Sequence, residues 1–143
     1  MPPQEIILLG VENTLIQIIA AYLGDKYRFI AINRNFDIKH LHTYSNIILF
    51  IIDTDSVYLD LDTLVKEIKS SADYQNIPTI GLSLKQHFAK MEPRFRNLFE
   101  DFLLKPMGNE DLLTRIEIWV RTFEIVNSEE AQTKTYSLDS LSS

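Results

Sequence analysis

Cysteine is absent from this 143-residue chain. Without it there is no disulfide framework and no thiolate metal site. Glycine is scarce at 4 residues, and none sits in a Gly-rich phosphate loop. His-Glu-x-x-His and a nucleophile elbow are also missing, which removes two familiar hydrolase signatures. The 3 histidines give no metal pair. His40 and His42 are two apart and would diverge on a helix, and His87 is isolated. The longest apolar run, Ile47–Ile52, falls far short of the ~20 residues that span a bilayer. Met1-Pro2-Pro3-Gln4-Glu5 lacks the basic segment of a signal peptide. A cytoplasmic location, away from membranes, is the expectation. Positive charge is in deficit, with 14 Lys and Arg against 20 Asp and Glu and a net charge of −6. Direct nucleic-acid binding needs a basic face, so none is expected. A protein partner with a basic surface stays compatible with this charge.

What remains is a chain of one-domain length. Its hydrophobic content of 45% is ordinary for a globular fold. Such a chain buries about 68–70% of its unfolded surface, enough for a real core. Apolar runs alternate with helical patterns. Glu5–Leu9, Tyr27–Ile32, Ile47–Ile52, Ile77–Leu82 and Phe102–Leu104 read as strands. Thr14 and Gln17 suggest a capping box opening the first helix, which Gly24 ends. Leu15, Ile18, Ile19, Tyr22 and Leu23 would form its inner face. Asn35–Tyr44 reads as a weak helix. Leu61, Leu64, Val65 and Ile68 mark the next, with Asp60 and Asp62 at its start. Lys85–Asn97 reads as a helix that Pro93 kinks or splits. Asn109–Val126 is the last. Leu112, Leu113, Ile116, Trp119, Val120, Phe123 and Val126 share an arc of about 140° on it, the predicted core face. Residues 127–143 are polar and predict a disordered tail, too short and too polar to form a second domain. The order βαβαβαβαβα predicts a parallel sheet with helices on both faces.

Three of the strands end on a polar residue of distinct chemistry: Asp53, Ser83 and Lys105. In an open α/β sheet the functional crevice lies outside the carboxyl ends of the strands. An anion, a hydroxyl and a cation would meet there, which suits handling of a phosphoryl group. A lysine directly after Phe102-Leu103-Leu104 is costly near a core unless an anion pairs with it. Asp53 is the expected anion.

This order of residues, with Ile77-Pro78-Thr79-Ile80-Gly81-Leu82-Ser83 and Phe102-Leu103-Leu104-Lys105-Pro106, resembles the receiver domain of two-component response regulators. The likeness covers about residues 5–126. It implies a flavodoxin-like, doubly wound α/β fold with strand order 2-1-3-4-5 and five helices. It implies phosphorelay signalling by a stand-alone receiver-like domain rather than an enzyme. Asp53 would be the phosphoacceptor, Lys105 would hold the phosphoryl oxygens, and Ser83 would hydrogen-bond them. Phe102 would occupy the aromatic switch position, and the Lys105–Pro106 bond would be cis. Glu12, Asp53 and the Asp55 backbone carbonyl would hold Mg²⁺. A sensor histidine kinase or another signalling protein would be the partner. The fourth helix, fifth strand and fifth helix would form the partner or homodimer surface. Ile118 and Ile125, off the core arc, would lie on it, with Lys85, Lys90, Arg94 and Arg96 supplying charge nearby.

The chain also departs from that pattern. Receivers usually end the first strand on two adjacent acids, and here Val11 and Glu12 stand there. Mg²⁺ binding would be weakened accordingly. Val57 and Leu61 replace the usual Pro and Gly after the phosphoacceptor. These departures fit a pseudo-receiver that binds partners without phosphorylation. Asp53-Thr54-Asp55-Ser56 also resembles the first motif of haloacid-dehalogenase-type phosphatases. Those enzymes need a further acidic pair on a strand beyond the lysine, and only Glu110-Asp111 follows, at a helix start. A calcium loop starting at Asp53 would need Gly and Glu where Tyr58 and Leu64 stand, so that reading fails.

Overall fold

A computed structural model describes residues 3–142, with side chains described as far as residue 128. Strands form where aliphatic and β-branched residues run unbroken. β1 (Glu5–Leu9) and β3 (Ile47–Asp53) are buried at every position, as central strands covered on both faces must be. β2 (Arg28–Ile32) is half-buried at one edge. β4 (Thr79–Leu84) and β5 (Asp101–Lys105) complete the other side. All pairings are parallel, in the order β2-β1-β3-β4-β5. This is the flavodoxin-like doubly wound order expected from the resemblance.

Period-two alternation sorts the strand side chains into two cores. On one face Ile6, Leu8 and Ile51 pack with Ile19 and Leu23 of α1 (Asn13–Leu23) and Leu112, Ile116 and Val120 of α5 (Asn109–Ser142). On the other, Ile7, Leu9, Phe50 and Ile52 pack with Leu64, Val65 and Ile68 of α2 (Leu61–Ser70). Each such fully buried side chain contributes about 1.5–3 kcal/mol.

Several boundaries differ from the sequence reading, each for a local reason. Glu12, not Thr14, stands at the start of α1, and no side chain caps it. Tyr22 is exposed rather than inward. Asn35–Tyr44 holds only a 3-10 turn, Ile38–Thr43, capped by Asp37 accepting from the Lys39 amide. Its apolar period is too sparse to carry an α-helix. Pro93 splits the fourth helical segment into α3 (Lys85–Ala89) and α4 (Pro93–Arg96), with the proline in the first turn of α4, where its missing N–H is harmless. β4 starts and ends later than predicted, so Ser83 lies inside the strand, fully buried. The helical backbone of α5 runs past Val126, whose side chain is exposed rather than in the core. The packing of the predicted tail, residues 127–143, lies almost wholly outside the described side chains.

Two glycines set close approaches. Gly10 follows β1 at φ +70°, and a Cβ there would sit 2.6 Å from Ser56 Cβ. It lets the end of β1 and the loop after β3 meet. Gly81 of β4 gives its side-chain space to the ring of Phe102 on β5. That ring stacks between Phe88 and Phe99, with centroids 5.1 and 4.6 Å away. Gly81→Ala drives a methyl group into it, and such overpacking costs about 1–3 kcal/mol. The expected result is a lowered urea midpoint with displacement of Phe102, read from its ring proton shifts. An unchanged midpoint with an unmoved ring would contradict this packing.

Candidate functional site

The site is built at the carboxyl edge of the sheet. β3 delivers Asp53, and the next turn brings Asp55 back over the end of β4. Thr54 secures that turn by donating to the Leu82 carbonyl from both its amide, at 2.9 Å, and its hydroxyl, at 3.0 Å. Asp53 Oδ1 accepts the Asp55 amide at 2.9 Å. β5 delivers Lys105, and its bond to Pro106 is cis.

Lys105 is the centre of the charge arrangement. Its Nζ lies 2.6 Å from Asp53 Oδ2 and 3.1 Å from Asp55 Oδ2. Burial alone would lower the lysine pKa, but hydrogen bonds to both carboxylates and their charges outweigh it and raise it. Asp55 is held by more than the lysine. The Leu84 amide donates to Oδ2 at 2.8 Å, and His87 Nδ1 lies 2.8 Å from Oδ1. The Ser83 hydroxyl reaches Oδ1 at 3.4 Å and the Leu84 carbonyl at 3.1 Å. Burial pushes the Asp55 carboxyl upward, yet His87, the Leu84 amide and Lys105 hold it below its ordinary value.

The predicted residues therefore meet, with changes. Asp53 and Lys105 pair directly. Ser83 points to Asp55, and no hydrogen bond joins it to Asp53 among the described residues. Asp55 enters through its side chain, whereas the resemblance assigned only its backbone carbonyl. His87, set aside as isolated, joins the cluster. The missed signal was its place: α3 begins directly after β4, so a polar residue in its first turn overhangs the strand end. Glu12 is exposed at the start of α1 and lines a shallow crevice of about 160 Å³ with Gly10, Asp53, Asp55, Tyr58 and Lys105. Val11 is in the core, 1% exposed. Oxygen donors of the kind Mg²⁺ takes thus face the crevice. Among the described residues, no group of three or more His, Cys, Asp or Glu is disposed to hold a metal ion. Phe102 is half-buried in the aromatic stack, and Ile118 and Ile125 are 50% and 49% exposed on α5.

Sequence reading also missed the clamp that seats β5. Asp101 accepts from Arg115 at 2.7 Å and from the Trp119 indole at 2.9 Å. It ties the strand carrying Lys105 to α5.

No protein-family model matches the chain, and no curated protein does. Solved structures do match. A response regulator receiver modulated diguanylate cyclase from Pelobacter carbinolicus is similar at a TM-score of 0.66 and 22% identity, covering 87% of this chain and 98% of that one. The receiver domain of a sensor histidine kinase from Pseudomonas aeruginosa PAO1, with magnesium coordinated in its active site cleft, gives 0.66 and 21%, covering 83% and 98%. A chemotaxis response regulator of Vibrio cholerae gives 0.66 and 15%, covering 82% and 99%. The chain has the fold of response regulator receiver domains.

Removal of Lys105 tests the charge arrangement. Asp55, with its lowered pKa, adds stability at neutral pH that is lost as pH falls through the carboxylate range. Lys105, with its raised pKa, adds stability that is lost only as pH rises beyond its ordinary 10.5. Lys105→Met removes the cation that Asp53 and Asp55 share. The loss at pH 7 is expected below the ~3–5 kcal/mol of a fully buried pair, because the crevice opens to solvent. It should shrink between pH 7 and pH 4 as one carboxyl takes up a proton. Urea midpoints across that range in metal-free buffer check this, and a loss that does not vary with pH would contradict it.

Proposed function

We propose that this protein is a receiver-like domain in phosphorelay signal transduction, with Asp53 as its phosphoacceptor and output through protein–protein contact. The observation that carries this is the 2.6 Å pair of Asp53 and Lys105 at the carboxyl edge of a receiver-type sheet. An Asp53 carboxylate oxygen attacks the phosphorus of a phosphohistidine or an acyl phosphate. The bond from phosphorus to the leaving nitrogen or oxygen breaks, the leaving group departs with its electron pair, and an aspartyl phosphate remains. Lys105 balances charge on the phosphoryl oxygens, and Ser83 supplies a hydroxyl on the neighbouring strand. When bound, Mg²⁺ offsets further phosphoryl charge. Glu12, Asp53 and the Asp55 carbonyl would hold it, less firmly than a site in which an acid stood at Val11.

A sensor histidine kinase or another signalling protein is the partner we propose, acting in the cytoplasm. No helix among the described residues is long and apolar enough to cross a membrane. The output or homodimer face is α3, α4, β5 and α5. Ile118 and Ile125 line a shallow groove on α5, and Phe102 links β5 to α3 and the α4 end through Phe88 and Phe99. The domain acts by carrying a phosphoryl group and by binding, not by turning over a substrate. For a phosphatase of haloacid dehalogenase type a further acidic strand is needed, and among the described residues β5 is the edge strand while Glu110 and Asp111 sit in the first turn of α5.

Two observations favour a second reading, a pseudo-receiver that binds without phosphorylation. Val11 is buried where an acid would face the crevice, and Lys105 already serves two carboxylates. Intact mass after incubation with acetyl phosphate and Mg²⁺ separates the two. A gain of one phosphate in the wild type and none in Asp53→Ala is expected. No gain in folded wild type would leave the pseudo-receiver reading.

A further inference from the structure

Four donors converge on one carboxylate beside Asp53. The Leu84 amide and His87 Nδ1 each lie 2.8 Å from an Asp55 oxygen, Lys105 Nζ lies at 3.1 Å, and the Ser83 hydroxyl at 3.4 Å. They come from β4, α3 and β5, so tertiary structure assembles them. A backbone amide, a hydroxyl, an imidazole and an ammonium together are the donor set of an oxyanion site. Two of them, Ser83 and Lys105, are the residues a phosphoryl group on Asp53 must recruit under the reading above, on which this inference rests.

The geometry points to Asp55 as a tethered occupant of that oxyanion site, an internal anion that a phosphoryl group on Asp53 must displace. His87 is then a ligand of the incoming oxyanion as well as of Asp55. Competition is direct at the Leu84 amide, which has one proton and gives it to Asp55. At Lys105 it is partial, because the ammonium has three protons and already faces both Asp53 and Asp55. With Asp55 in place, Ser83 and the start of α3 are held toward the crevice without any phosphoryl group. The tether is short, because the Asp55 amide is itself bound to Asp53 Oδ1. Release of the carboxylate therefore requires a side-chain rotation and no refolding of the turn.

The test compares wild type, Asp55→Asn, Asp55→Ala and His87→Ala, with folding checked by circular dichroism. Asp55→Asn keeps the size of the side chain and removes its charge. The initial rate of acetyl phosphate labelling of Asp53, with Mg²⁺, is read by intact mass. Both Asp55 variants are expected to label about tenfold faster than wild type, the equivalent of one charge-assisted hydrogen bond. Rates at or below wild type in folded Asp55→Asn would overturn the inference. A second readout needs no chemistry at Asp53. In a titration with inorganic phosphate, the Leu84 amide resonance of Asp55→Ala should shift saturably, that of wild type should not, and His87→Ala in the Asp55→Ala background should weaken the shift. No phosphate-dependent shift in folded Asp55→Ala would overturn the inference. Labelling absent from every variant, with the phosphate shift present, would sink the phosphoacceptor reading and leave the oxyanion site standing.

Discussion

Lys105 stands between two carboxylates, and the site takes its form from that bridge. Asp53 and Asp55 come from one turn, and without a cation two negative charges so close would repel strongly in a partly buried crevice. The lysine sets a positive charge between them, 2.6 Å from one and 3.1 Å from the other. Three strands must end at one level for this to happen. β3 and the turn after it supply the acids, β5 the cation, and β4 the amide and hydroxyl that fix the second acid. Parallel pairing of β3 with β4 and β4 with β5 brings all three carboxyl ends to the same edge. The Asp101 clamp to Arg115 and Trp119 anchors β5 against α5 and so keeps the lysine in reach.

The opposite edge of the sheet is closed by polar groups that satisfy one another. Glu5, buried at the start of β1, accepts the Asn46 amide at 2.8 Å and lies 3.4 Å from Arg28. Lys69 binds Glu100 at 2.7 Å and the Ile77 carbonyl at 3.0 Å, while Glu100 also takes the Thr79 amide at 2.8 Å. These pairs join the loops entering β1, β3, β4 and β5. They explain why charged residues sit near the core at that end. Buried polar groups are tolerated where every partner is met. Chemistry is left to the carboxyl edge, where Glu12 and Lys105 reach solvent.

The strands and the two-sided core were legible because unbroken aliphatic runs admit few readings, whereas the strand order followed from the resemblance. Ile47–Ile52 is buried at every position, and its alternation sends Phe50 and Ile52 to one face and Ile51 to the other. The 3-10 turn at Ile38–Thr43 was not legible as such, since a loose period does not separate a helix from a tighter turn. At the site, Asp53 and Lys105 announced themselves as polar residues ending apolar runs. Asp55 and His87 did not. Their side chains meet because the turn after β3 folds over β4, of which residue spacing carries no record, and because α3 begins at once after β4. The inward face of α5 was readable from its period through Phe123 and failed at Val126, where the helix passes the last of the sheet.

The ring of Phe102 occupies the volume that any side chain at position 81 would need. Positions 81 and 102 therefore behave as a single design variable. A redesign that enlarges residue 81 has to shrink residue 102 in the same step, and the shrinkage removes the ring that Phe88 and Phe99 rest on. The smallest residue of β4 thus determines how much of the aromatic stack next to the crevice can be rebuilt.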